Sequence, residues 1–175
     1  MGQRDVKTRM RSLLDSLDYG FEEFTFEGFA EWIVQQRARS IIFIPYTFPS
    51  DLFGAWVKGS DKDFIAFETD TPAIHQTHIK LHEMAHMLCG HPTVEIGKRQ
   101  TQALLCSVLG PEPDVDLQAS LLRSTHSNEN EEEAEVLTSL IQERVYRNAR
   151  MEELYKVVSG DHTTFFMSYL EQLKG

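Results

Sequence analysis

The residues of this chain whose types and spacing can do chemistry are His82-Glu83-Met84-Ala85-His86. On an α-helix, positions i and i+4 share a face one turn apart, so both imidazoles can reach a single ion. A tetrahedral Zn²⁺ site accepts two His nitrogens at about 2.0–2.1 Å, wants a third protein ligand, and keeps a fourth position open for water when it is catalytic. Glu83, beside the first His, is turned toward that water, where it can take a proton and later deliver it to a leaving amine. The ion lowers the water pKa from ~15.7 toward ~7, which makes hydroxide available at neutral pH. The spacing therefore predicts one zinc ion held by His82 and His86, with Glu83 as general base. The competing reading is a pair of surface histidines on an amphipathic helix. It loses ground because the motif lies between independent helix start and stop signals.

The third ligand is less sharply marked. A histidine-based extension would need Gly three and His six residues after His86, where this chain has Cys89 and Pro92. His91 falls past the expected helix end and reads as a loop histidine or a hydrogen-bonding partner behind a ligand. His78 is one turn before His82, and a rise of ~5.4 Å per turn puts it too far along. His75 and His126 have weaker claims, although His126 could stabilise a developing oxyanion. A glutamate on a later helix is the better source, from Glu129, Glu131, Glu132, Glu133 and Glu135. Most of these suit a solvated helix start, where carboxylates meet the positive end of the dipole. Glu131 ranks first, because small Ala134 and Thr138 follow it at i+3 and i+7 and leave room for the motif helix. Glu132 ranks second, and Glu135, one turn from Glu131, is placed to orient a ligand.

The elements that must hold these groups can be read along the chain. Residues 1–39 read as two helices, one carrying Leu13, Leu14 and Leu17, and one capped by Thr25 and carrying Phe29, Trp32, Ile33 and Arg37. Ile41-Ile42-Phe43-Ile44 is a buried-strand run ended by Pro45. Gly54–Val57 and Asp63–Glu68 flank Gly59-Ser60-Asp61 turn chemistry and predict a hairpin. For the motif helix, Thr71 is the expected cap and Pro72 the first helical residue. Gly90 is expected at its left-handed end, with Pro92 beyond. Ile74, Leu81, Ala85 and Leu88 form the stripe that should bury it. Thr101–Leu109 reads as helix broken by Gly110-Pro111-Glu112-Pro113, and Leu117–Leu122 is ambiguous. A long helix is expected from Glu129, lined by Ala134, Leu137, Ile141 and Val145. Ser159-Gly160-Asp161 should separate a last helix carrying Phe165, Phe166, Tyr169 and Leu173. The fold expected is a single α+β domain, mostly helical, with a small three-stranded sheet beside the motif helix. Its parts are N-terminal helices in 1–39, a catalytic core in 40–145 and C-terminal helices in 146–175.

The passages Phe64–Glu68 and Gln76–His91, with Glu131–Thr138 downstream, resemble the core of the ImmA/IrrE family of metallo-endopeptidases over roughly residues 40–145. The resemblance implies a zincin-like fold with His82, His86 and Glu131 as ligands of one Zn²⁺ and Glu83 as the base. The interval between the motif helix and the acidic helix is long for that family, and Thr138 stands where alanine is favoured. Members are bacterial, phage or mobile-element proteins that often cut a helix-turn-helix transcriptional repressor. The implied partner is such a regulator, and the alternative is a binding module that keeps the metal site and sequesters a repressor or toxin without cutting it. An extended substrate could add as a strand to a sheet edge at Gly54–Val57 or Phe64–Glu68.

Composition limits the remaining options. Seventeen Lys+Arg against 27 Asp+Glu leave the 175-residue chain at −10, which disfavours binding nucleic acid or an anionic membrane through its overall field. The N-terminal residues MGQRDVKTRMRS are charged throughout, which argues against a secretory signal. Val6 stands where a myristoylation pattern wants Ser or Thr. The run Ile41–Pro45 is far short of the ~20 residues of a membrane span. A cytoplasmic chain is expected, in which Cys89 and Cys106 pack as small apolar side chains.

Overall fold

Local signals set most element ends in the computed structural model, which describes residues 3–48, 52–99 and 127–172. The expectations for Thr101–Leu109, Gly110–Pro113, Leu117–Leu122, Cys106, His126 and Leu173 lie outside the described residues. Helix α1 spans Gln3–Ser16 and α2 spans Phe26–Arg37. Thr25 caps α2, its hydroxyl accepting from the Gly28 amide at 3.0 Å. Between the two helices, Tyr19, Phe21, Phe24, Phe29 and Trp32 pack ring against ring, which turns the chain and gives α2 a buried face through Phe29, Ala30 and Ile33.

Strands β1 (Ser40–Tyr46), β2 (Gly54–Lys58) and β3 (Lys62–Glu68) follow, then helix α3 (Ala73–Cys89), the two-residue strand β4 (Val94–Glu95) and helix α4 (Asn128–Gln172). The sheet order is β1-β3-β2-β4. β2 and β3 are the expected antiparallel hairpin, whereas β1 lies parallel to β3 and β4 parallel to β2. The result is an α+β fold with four strands among the described residues. The fourth strand is too short to carry a period and was not expected. β1 runs one residue past Pro45, which an edge strand tolerates because its outward N–H needs no ladder partner.

One face of the sheet, through Trp56 and Ile65, joins α1, α2, α3 and α4 in the main core around Leu14, Phe29, Ile33, Met84, Leu137 and Ile141. The other face buries Ile44, Ala55, Val57, Phe64 and Ala66 with Phe48 and Ile96. Asp63, fully buried, is met by Arg37 at 3.2 Å and Arg39 at 3.4 Å, and Arg37 also donates to the Met87 carbonyl at 3.4 Å. These contacts tie α2 and β3 to the end of the motif helix.

Three helix expectations are corrected. Pro72, not Thr71, is the capping residue of α3. The Thr71 hydroxyl instead meets His75 Nδ1 at 2.6 Å, and its carbonyl accepts from Gln76 at 2.9 Å. Ile74 is 81% exposed, because the first turn of α3 lies outside the core and the buried face is Ile79, Leu81, Met84, Ala85 and Met87. Finally, α4 continues through Ser159-Gly160-Asp161. One interior Gly costs only about 1 kcal/mol relative to Ala and, without a proline, does not stop a helix.

Candidate metal centre

Helix α3 places His82 and His86 on the face it turns toward α4. The opposing carboxylate comes from the first turn of α4, where Ser127 fixes the start: its hydroxyl accepts from the Asn130 amide at 3.3 Å and its carbonyl from the Glu131 amide at 3.0 Å. Ala134 and Thr138, both fully buried, form the close-packed seam between the helices, and the Thr138 hydroxyl is satisfied by the Ala134 carbonyl at 2.8 Å. Small residues on that face therefore do let the helices approach at Glu131.

The three donors converge. His82 Nε2 lies 3.1 Å from His86 Nε2 and 3.2 Å from Glu131 Oε2, and His86 Nε2 lies 3.6 Å from Glu131 Oε1. Ligand atoms about 2.0–2.1 Å from a tetrahedral ion lie about 3.3–3.4 Å from each other, and these separations, measured to one or the other Glu131 oxygen, are of that size. Two neutral imidazoles and a carboxylate are also the donor types that zinc takes in hydrolytic sites. His86 is fully buried, while the Glu131 side chain is 46% exposed, which leaves the centre open on the α4 side. Glu132 takes no part in the cluster.

Glu83 sits under the sheet edge. Its carboxyl is buried and pushed up to about 8, first by loss of solvent and then by the charge of Glu131, with the Trp56 backbone amide pulling the other way. A cation at the three donors would draw the same carboxyl back down. Gly54, the first residue of β2, makes the space: a Cβ there would lie 2.6 Å from Glu83 Oε1 and 2.7 Å from Ile79 Cγ2. A side chain at position 54 and the Glu83 carboxyl compete for one volume. No sequence signal marked Gly54, because its constraint comes from an element 29 positions away rather than from its own turn.

A ring of partners stands behind the three candidate donors. Glu135 Oε2 is 3.4 Å from His82 Nδ1 and 3.4 Å from His78 Nε2, the position its spacing suggested. His78 is outside the donor cluster and bonds Gln142 at 3.4 Å. His91 is buried, not a solvated loop residue. Its Nδ1 lies 2.9 Å from His86 Nδ1 and its Nε2 lies 3.1 Å from Glu133 Oε2. The signal for this was present in the sequence as Gly90. With φ 70° and ψ 29°, that residue lets its own amide bond the Met87 carbonyl and the His91 amide bond the His86 carbonyl at 3.1 Å. This helix-ending pair of bonds brings residues 86 and 91 side by side. Cys89 packs against Met10, its sulfur 3.7 Å away, and burial next to Glu133 pushes its thiol up to about 12.

The chain matches no protein-family model, no curated protein and no solved structure. The site is therefore read from its own geometry.

β3 lies between β1 and β2, so Phe64–Glu68 cannot serve as an edge, and that expectation is withdrawn. Gly54–Val57 is not a free edge either, because β2 lies between β3 and β4 and only its N-terminal part is left uncovered by β4. Hydrogen bonding of Phe53 with Glu68 and the paired register direct Gly54, Trp56 and Lys58 away from β3. β4 covers only Val57 and Lys58, and the Trp56 carbonyl accepts from Thr93. The uncovered start of β2 at Gly54 lies against Glu83. Among the described residues no helix is long and apolar enough to cross a membrane.

Proposed function

We propose that this chain is a cytoplasmic zinc-dependent endopeptidase whose substrate is a partner protein, a helix-turn-helix transcriptional regulator being the class that the sequence resemblance suggests. The observation that carries the reading is the triangle of His82 Nε2, His86 Nε2 and Glu131 with edges of 3.1–3.6 Å, beside a buried carboxyl that is not part of it. A zinc ion held there supplies Lewis acidity to a carbonyl and makes a bound water easier to deprotonate.

The remaining chemistry belongs to the protein. Glu83 follows the first donor histidine on α3, is outside the donor cluster and, among the described residues, has no cationic side chain paired with it, so its task is to hold and move a proton. It takes the proton from the attacking water and returns it to the leaving amine nitrogen. Burial raises its proton affinity and a cation at the donors would lower it again, which leaves a carboxyl able both to take and to return a proton. Of the outward backbone groups of β2, those of Trp56 are taken by Thr93 and Glu83, so an extended peptide would pair with Gly54 at the start of the strand. Glu135 holds His82 by its second nitrogen and His91 holds His86 by its own, which fixes both ring planes.

The test is incubation of the purified, zinc-loaded chain with candidate helix-turn-helix regulators, with products read by intact mass. Fragments with the native chain and intact regulator with Glu83→Gln support the proposal. Equal disappearance of the regulator with both proteins refutes it. An intact regulator held in a stable complex by both proteins refutes it in favour of the sequestering module.

A further inference from the structure

We infer that Glu133, ion-paired with Arg9, and His91 form a one-way chain of hydrogen bonds that positions His86, holding its ring as the Nδ1–H tautomer with the Nε2 lone pair turned to the three-donor cluster. The inference rests on the metal reading of that cluster and adds residues to it from the loop after α3 and from both α1 and α4.

The direction of the chain follows from what each atom can do. An ionised carboxylate only accepts. Glu133 Oε1 is held by the Arg9 guanidinium at 2.7 Å, and its Oε2 lies 3.1 Å from His91 Nε2. With the ring neutral, His91 therefore carries its proton on Nε2, and its Nδ1 is an acceptor. The atom facing that acceptor at 2.9 Å is His86 Nδ1, which must donate. The proton on His86 is thus fixed on Nδ1, and Nε2 is left as the lone pair that lies 3.1 Å from His82 Nε2 and 3.6 Å from Glu131. His86 is completely buried, His91 nearly so, and the Glu133 side chain is 13% exposed, so water does not compete freely for these bonds. A tautomer set by an outer partner is a general requirement for a ligating histidine. Here the outer partner is a second histidine, delivered by the left-handed Gly90, and the carboxylate stands one ring further out.

The same atoms suggest a rival. Cys89, His91 and Glu133 offer donor atoms all within 4.8 Å of one another and could themselves hold an ion. Arg9 stands against this, since its positive charge already occupies Glu133.

The experiment uses the full-length chain, ¹⁵N-labelled and metal-free at pH 7.5, with histidine tautomers read from two-bond ¹H–¹⁵N correlations. Zinc affinity is measured in parallel by competition with a chromophoric chelator. His86 is expected as the Nδ1–H form in the native chain and in Glu133→Gln, whose amide oxygen still accepts from His91. In Glu133→Ala the tautomers should mix and zinc affinity should fall about 10–100-fold, the usual cost of losing a partner behind a ligand. Retention of the α-helical circular dichroism signal and a cooperative melt shows that the variants are folded. A native His86 protonated on Nε2, or a Glu133→Ala chain with unchanged tautomer and affinity, overturns the inference. A second equivalent of zinc that is lost in Cys89→Ser also overturns it, in favour of a second site. Failure of the native chain to bind zinc defeats the metal reading, whereas the tautomer measurement judges the hydrogen-bond chain by itself.

Discussion

Replacing Gly54 by alanine is the most direct probe of how the sheet edge and the base are fitted together. The new methyl carbon would sit 2.6 Å from Glu83 Oε1 and 2.7 Å from Ile79 Cγ2, about 0.7–0.8 Å inside ordinary van der Waals contact on two sides. Neither neighbour gives way easily: Ile79 is 4% exposed and the Glu83 carboxyl is buried beside the Trp56 amide. Overpacking of this kind costs roughly 1–3 kcal/mol, so denaturant melts of the metal-free chain should show a loss in that range. Moving a general base by about 1 Å costs on the order of 10²-fold in rate, so peptide hydrolysis should fall by a similar factor. Zinc affinity should stay near native, because none of the three donors touches Gly54. Glu83→Ala opens the space on one side, so Gly54→Ala should cost less in that background, with a coupling of roughly 0.5–3 kcal/mol. Gly54→Ala with native stability, or strictly additive effects of the two substitutions, would refute the reasoning.

Three further outcomes are expected. Glu131→Ala should lower zinc affinity by more than the roughly 10–100-fold typical of a partner behind a ligand, while Glu132→Ala leaves it unchanged; chelator competition on both variants checks this, and the reverse order would exclude Glu131 as a ligand. In the metal-free chain the Glu83 carboxyl titrates near 8 when folded and near 4.5 when unfolded, so the folded state binds the extra proton and loses stability as pH rises between those values. The limiting slope is about 1.4 kcal/mol per pH unit. Glu83→Gln lacks it, so its advantage in melting temperature should widen from pH 5 to pH 8, and a constant offset would contradict the assignment. Cys89, with its thiol pushed up to about 12, should resist iodoacetamide at pH 8 until the chain unfolds, as peptide mapping would show.

Much of this was legible in the sequence because it is local. The spacing of His82 and His86, the Thr25 cap, the Gly59-Ser60-Asp61 turn and the Gly90 helix end each depend on a handful of adjacent residues, and each forms as expected. The position of Glu131 was readable from Ala134 and Thr138, since a carboxylate can approach another helix only where the seam is small. Strand order was not readable. Pairing β1 with β3 is a choice between distant partners with similar apolar patterns, and it moved Phe64–Glu68 from a possible edge to the centre. Ile74 has the right period for the buried stripe but lies in the first turn, beyond the reach of the sheet and α4. His91 and Glu133 are ordinary polar residues in sequence. Gly90 hinted that His91 returns to His86, but only the fold shows that it is buried there and that Glu133 stands against Arg9.

Two of the donors ride on α3 and the third on α4, 45 positions beyond His86. An ion gripped by all three is therefore a clasp between separate parts of the core. Because the unfolded chain cannot present this triangle, metal supply and mechanical robustness are one variable: at a hundred times the dissociation constant, binding adds about 2.7 kcal/mol to the folded state. Stripping such an ion would leave the chain softer and more open to degradation.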